Sequence, residues 1–135
     1  MPSNTNTKDM QAVPQFKEPV DLALLASYEE IQVDGDPDLI AELIDLYLED
    51  APRRVASMRE SLSRIDLPSV KRGAHGLRGS SGSLGVLQIA LICSEIEAAE
   101  GTESFSTLAA LLSCLERELE RVVPIFLAER QRRLR

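Results

Sequence analysis

Phe105, Leu108, Leu112, Leu115, Leu119, Val122 and Phe126 recur at alternating steps of three and four residues, and this repeat constrains the fold more than any other feature of the chain. Apolar residues at that spacing form one stripe along a long α-helix, and so regular a stripe packs against other helices at a shallow angle. The period-two alternation of a half-buried strand appears nowhere. The expected fold class is therefore all-α: an antiparallel, up-down four-helix bundle with one or two short additional N-terminal helices. Hydrophobic residues make up 44% of the chain and aromatics only 4%, so the core must be aliphatic.

Upstream the pattern is less regular. From Asp21 onward Leu22, Leu25, Ala26 and Glu29 keep helical steps, and Gly35 suits a helix stop. Asp36 and Pro37 read as N-cap and first residue of a second helix, with Leu39, Leu43, Leu46 and Tyr47 as its apolar stripe. Asp50-Ala51-Pro52 reads as a new start or a bend, after which Val55, Met58, Leu62 and Ile65 continue the periodicity. Asp66-Leu67-Pro68 marks a break and restart, and Pro124 should kink or end the last helix. Residues 1–18 read as a flexible N-terminal tail with one short turn near Phe16, 19–130 as the bundle domain and 131–135 as a basic C-terminal tail. The arginines at 130, 132, 133 and 135 are expected to be solvated and to complement a helix dipole.

Fifteen basic and 22 acidic side chains leave a net charge of −7, which argues against nucleic acid or an anionic membrane as partner. The N-terminus lacks an apolar signal core, and the longest nearly apolar run, Leu84 to Cys93, is about half of a membrane span. A soluble, cytoplasmic protein is expected. Cys93 and Cys114 sit among aliphatic residues and read as free thiols of a reducing compartment. With one histidine and two distant cysteines, the chain supplies no common zinc set.

That histidine, His75, lies in an unusual window. Residues 67–94 contain no acid, yet hold Lys71, Arg72 and Arg78 and five of the seven glycines, at 73, 76, 79, 82 and 85. Glycine in a helix interior costs up to about 1 kcal/mol relative to Ala, but Val70, Ala74, Leu77, Ser81 and Leu84 keep helical spacing through the stretch. At about 100° per residue His75 falls roughly 140° from the centre of that stripe, with Gly79 one turn later on the same outward side. Imidazole titrates near neutrality as a class, so an outward ring offers a neutral nitrogen as nucleophile. Neighbouring cations can neutralise a transferred phosphoryl group, and Gly79 leaves room for a partner's active site. The run Gly-Leu-Arg-Gly-Ser-Ser-Gly-Ser is not a phosphate-cradling loop, since it lacks the lysine and follows no strand. Ser80 and Ser81 read as packing or inter-helix hydrogen-bonding groups.

Ala74-His75-Gly76-Leu77-Arg78-Gly79-Ser80-Ser81, followed by Leu84-Gly85 and then Ile89, Cys93 and Glu97, resembles the histidine-containing phosphotransfer (HPt) family of two-component phosphorelays. The segment from Gly35 to Pro52 resembles that family's second helix and its exit. The resemblance implies that His75 is the phosphoacceptor through its outer ring nitrogen and that Gly79 keeps it accessible. It places Glu97 where an acid or amide holds the other imidazole nitrogen. Arg78 stands where the family usually has Lys, and Gly73 and Gly76 are further departures. Lys71, Arg72 and Arg78 would face the phosphoryl group or the partner. The implied protein is a phosphocarrier and not an enzyme, a monomer that binds no cofactor itself. Its partners would be receiver domains of response regulators, a hybrid sensor kinase, or both, with Mg²⁺ on the receiver. The alternative is a helical adaptor that docks a partner without accepting phosphate.

Overall fold

The structure, a computed structural model, describes residues 15–100 and 104–134. Five α-helices follow one another: α1 Leu22–Ala26, α2 Leu39–Ser63, α3 Leu67–Ser83, α4 Leu87–Ala98 and α5 Ser104–Arg133, with a 3₁₀ turn at Ser27–Ile31. No strand occurs among the described residues. Short turns join α2 to α3 and α3 to α4, which forces each pair antiparallel. Helices α2 and α4 each pack on both α3 and α5, closing a ring of four around an aliphatic core. The expected bundle is what the chain forms. No helix among the described residues is long and apolar enough to cross a membrane.

Helix α2 corrects the sequence reading at both ends of its first half. Its N-cap is Asp38, whose side chain accepts from Ala41 N at 2.9 Å, not Asp36. Asp36 and Pro37 lie in a turn clasped by Gln32, which accepts from Leu39 N at 2.7 Å and donates to Pro37 O at 3.0 Å. The helix then runs through Asp50-Ala51-Pro52 without a break. Its buried stripe is Ile40, Ile44, Tyr47, Ala51, Val55, Met58 and Leu62: Tyr47, Val55, Met58 and Leu62 are as expected, Ile40 and Ile44 take the place of the neighbouring Leu39 and Leu43, and Leu46 and Ile65 are left 63% and 68% exposed. Pro52 and Pro124 both face solvent, where water can satisfy the carbonyl that loses its donor.

Helix α5 likewise continues past Pro124, and its last turn takes in residues 131–133 of the expected basic tail. Two of the arginines, Arg130 and Arg133, are structural and not simply solvated, whereas Arg132 stays 63% exposed and Arg135 lies outside the described residues. Arg133 is only 8% exposed, pairing with Glu29 at 2.8 Å and Glu129 at 2.7 Å, while Arg130 pairs with Asp45 of α2. They fasten the end of α5 to α2 and to the 3₁₀ turn.

The turns after α2 and α3 share one geometry. Asp66 N donates to Ser61 O and Val86 N to Ser81 O, both at 2.8 Å, with the preceding residue in the left-handed region. This is the Schellman ending. Gly85 occupies that position after α3 at φ +81°, but after α2 it is Ile65, at φ 57°. Gly85 also lets the N-terminal segment approach: its carbonyl accepts from Asp21 N at 2.7 Å. Of the expected N-terminal tail, residues 1–14 lie outside the described residues, and Phe16 is tied to the bundle through its N–H, which donates to Gln88 Oε1 at 2.7 Å.

Candidate functional site

Asp66 caps α3, accepting from Ser69 N and from Ser69 Oγ, and Pro68 occupies the first turn, where its missing N–H costs nothing. Val70, Ala74, Leu77 and Ser81 are fully buried and Leu84 nearly so, which turns the opposite side of the helix to solvent. The His75 side chain is accordingly 68% exposed. Beneath it, Ser81 is satisfied by the Tyr47 hydroxyl at 2.7 Å, and Ser80 Oγ donates back to Leu77 O. Both serines are occupied in packing.

Three of the residues singled out in the sequence meet. Glu97, in the last turn of α4, places Oε2 at 2.9 Å from His75 Nδ1. A carboxylate can only accept, so the ring proton sits on Nδ1 and the lone pair on Nε2. No partner engages Nε2 among the described residues. Arg78 Nε stands 3.0 Å from the other Glu97 oxygen, Oε1, as an ion pair not aimed well enough to be a hydrogen bond. Its Nη2 is 3.4 Å from His75 Nδ1, a neighbour and not a donor once Nδ1 carries a proton. Arg78 thus lies on the Nδ1 side of the ring.

The other expected groups are elsewhere. Lys71 Nζ donates to Ala99 O and caps the end of α4 that carries Glu97. Arg72 Nη2 donates to Ser69 Oγ at 2.7 Å, one turn back on α3. Gly79 leaves open space: a Cβ there would meet nothing within 4 Å. Cys93, one turn before Glu97, is buried, and burial, reinforced by Glu97, pushes its thiol up to about 12. It is no nucleophile at neutral pH.

A cation missing from the sequence reading comes from α2. Arg54 reaches across to α3 and rests against Gly76, the residue after His75. The one signal for it was Gly76 itself, a side chain removed at a helix contact.

The family model of the Hpt domain matches residues 42–123. The chain belongs to the Hpt family. Over 67 residues it is 34% identical to histidine-containing phosphotransfer protein 5 of Arabidopsis thaliana, a match covering 47% of this chain and 43% of that protein. Histidine-containing phosphotransfer protein 2 of the same plant is 31% identical over 68 residues, covering 48% and 44%. The matched part therefore spans less than half the length of either relative. Among solved structures, histidine-containing phosphotransfer protein B (HptB) of Pseudomonas aeruginosa superposes with a TM-score of 0.76 at 28% identity, covering 87% of this chain and 98% of that one. In this Hpt chain the matched region contains α3, His75 and Glu97.

Proposed function

We propose that this protein relays a phosphoryl group through His75, taking it from the phosphoaspartate of one receiver domain and passing it to the aspartate of another. The observation that carries this is the division of labour on the ring: Nδ1 is engaged by Glu97 at 2.9 Å, and Nε2 is unengaged on an exposed face. In the transfer the Nε2 lone pair forms the N–P bond as the P–O bond to the aspartyl carboxylate breaks, and the electron pair leaves on that carboxylate. The ring keeps its Nδ1 proton and acquires positive charge, which the Glu97 carboxylate stabilises. Phosphoryl transfer needs positioning and charge more than covalent help, so a small helical scaffold suffices. Mg²⁺ belongs to the receiver in this reading, and a receiver or a hybrid sensor kinase is the docking partner.

The test is incubation with a radiolabelled phosphoreceiver. Wild type should gain acid-labile label and pass it to a second receiver, while His75→Gln gains none. Equal labelling of both proteins would overturn the reading, and binding of the receiver without any label would favour an adaptor.

A further inference from the structure

Arg54 is oriented by its own helix. Its Nε donates to Asp50 Oδ2 at 2.7 Å, one turn earlier on α2, which leaves Nη1 and Nη2 without a hydrogen-bond partner among the described residues. That end of the guanidinium lies over Gly76. A Cβ there would stand 3.0 Å from Cζ and 3.5 Å from Nη2, and would collide with Nη1. Around the α3 axis Gly76 is about 100° from His75 on the α2 side, and Gly79 is about 40° the same way one turn later. On the C-terminal side of the imidazole the strip toward the guanidinium therefore carries no side chain, and Arg72, about 60° the same way but one turn earlier, is turned back onto Ser69. A cleft of about 450 Å³ between α2 and α3, with Leu46, Asp50, Arg54 and Ser80 in its walls, keeps the guanidinium open to the outside.

On the other flank Arg78 is paired with Glu97, on the side of the ring away from Nε2. Like Arg54, Arg78 has a carboxylate partner at its Nε and keeps terminal nitrogens exposed, so a cation on the α2 flank adds to it in neutralising a phosphoryl group on Nε2. We propose that Arg54, seated on Gly76, is a second phosphoryl-binding cation of this site, donating through Nη1 and Nη2 to the oxygens of the group in transfer. This rests on the phosphotransfer reading and adds a binding residue to it. Two terminal N–H groups in one plane suit bidentate contact with phosphoryl oxygens, on which charge is spread in the transition state. The bonds made and broken are unchanged. Gly76 then serves as the gap that admits the guanidinium, and its helix-weakening cost has a use.

Single-turnover transfer from a phosphorylated receiver, followed over a range of receiver concentrations, tests this. Arg54→Gln should lower the limiting rate about tenfold, less than a buried oxyanion donor commands because this site is exposed, with an unchanged thermal midpoint. Gly76→Ala should slow transfer similarly although Ala is the better helix former, and the double variant should be no slower than Arg54→Gln alone. Arg53→Gln, which removes an exposed cation one residue away, paired with Glu49, should transfer like wild type. A limiting rate for Arg54→Gln indistinguishable from wild type, or an effect confined to the half-saturating receiver concentration, overturns the proposal. A wild type no better labelled than His75→Gln would overturn the phosphocarrier reading, and this inference with it.

Discussion

His75 Nδ1 and Glu97 Oε2 lie 2.9 Å apart, joining the middle of α3 to the last turn of α4. The contact sets which ring nitrogen is free, and it holds the imidazole at one orientation. Glu97→Ala should lower the phosphotransfer rate about tenfold, at the low end of what losing an imidazole-orienting partner costs. Glu97→Gln keeps an acceptor and should fall less. Nitrogen NMR of the ring supplies a second readout: wild type should be protonated at Nδ1, and Glu97→Ala should show a mixture of tautomers. Unchanged tautomer and rate in Glu97→Ala would remove Glu97 from the site.

Gly79 separates stability from function. Nothing lies within 4 Å of where its Cβ would stand, so Gly79→Gln meets no clash within the fold. It should raise stability by up to about 1 kcal/mol through helix propensity. The same side chain would stand between His75 and an approaching receiver, so transfer should slow while the thermal midpoint rises. A variant that is more stable and equally fast would show that Gly79 does not serve access.

The two Schellman endings give opposite expectations. Ile65 holds a left-handed conformation with its side chain mostly in solvent. Ile65→Gly should stabilise by about 0.5 kcal/mol, the relief of strain exceeding the extra unfolded-state entropy. Gly85→Ala should destabilise by about 2 kcal/mol, because it adds that strain and sets a Cβ against the Asp21 carbonyl, 2.6 Å away. Denaturant unfolding of both variants checks the pair.

At the end of α5, the hydrogen bond from Arg132, with Arg133 beside it, holds the Glu129 carboxyl below its ordinary range. A folded-state value below the unfolded one means the stabilisation is present above the ordinary carboxylate pKa and is lost as pH falls. The bundle should therefore weaken below about pH 4.5. Glu129→Gln should cost about 1–2 kcal/mol at neutral pH, since it leaves Arg133 underpaired, and should flatten the acid slope. Thermal midpoints from pH 3 to 7 read both effects.

The outward position of His75 was legible because one helical period groups Val70, Ala74, Leu77, Ser81 and Leu84. Its surroundings on other helices were not, because contacts between helices leave no period in the sequence: Glu97 was named only through the family resemblance, and Arg54, which rests on Gly76, was missed. The expected clustering of Lys71, Arg72 and Arg78 at the ring also did not hold for Lys71 and Arg72, which serve an α4 cap and a local hydrogen bond. In α2, Leu39, Ile40, Leu43, Ile44, Leu46 and Tyr47 cover so much of the helix that two stripes compete. Packing on α3 and α5 selects Ile40, Ile44 and Tyr47. The acid-free window was a property of the chain and not of the site. In space, Glu97 stands against Arg78 beside His75, and Asp50 against Arg54 over Gly76.

In the phosphocarrier reading His75 is the residue that carries the phosphoryl group. Peptide mapping by mass spectrometry at neutral pH, after brief exposure to a phosphorylated receiver, tests it most directly. One phosphorylated peptide, containing His75, is expected, and none from His75→Gln handled identically. Phosphate on another residue, or none on wild type despite measured receiver binding, would contradict it.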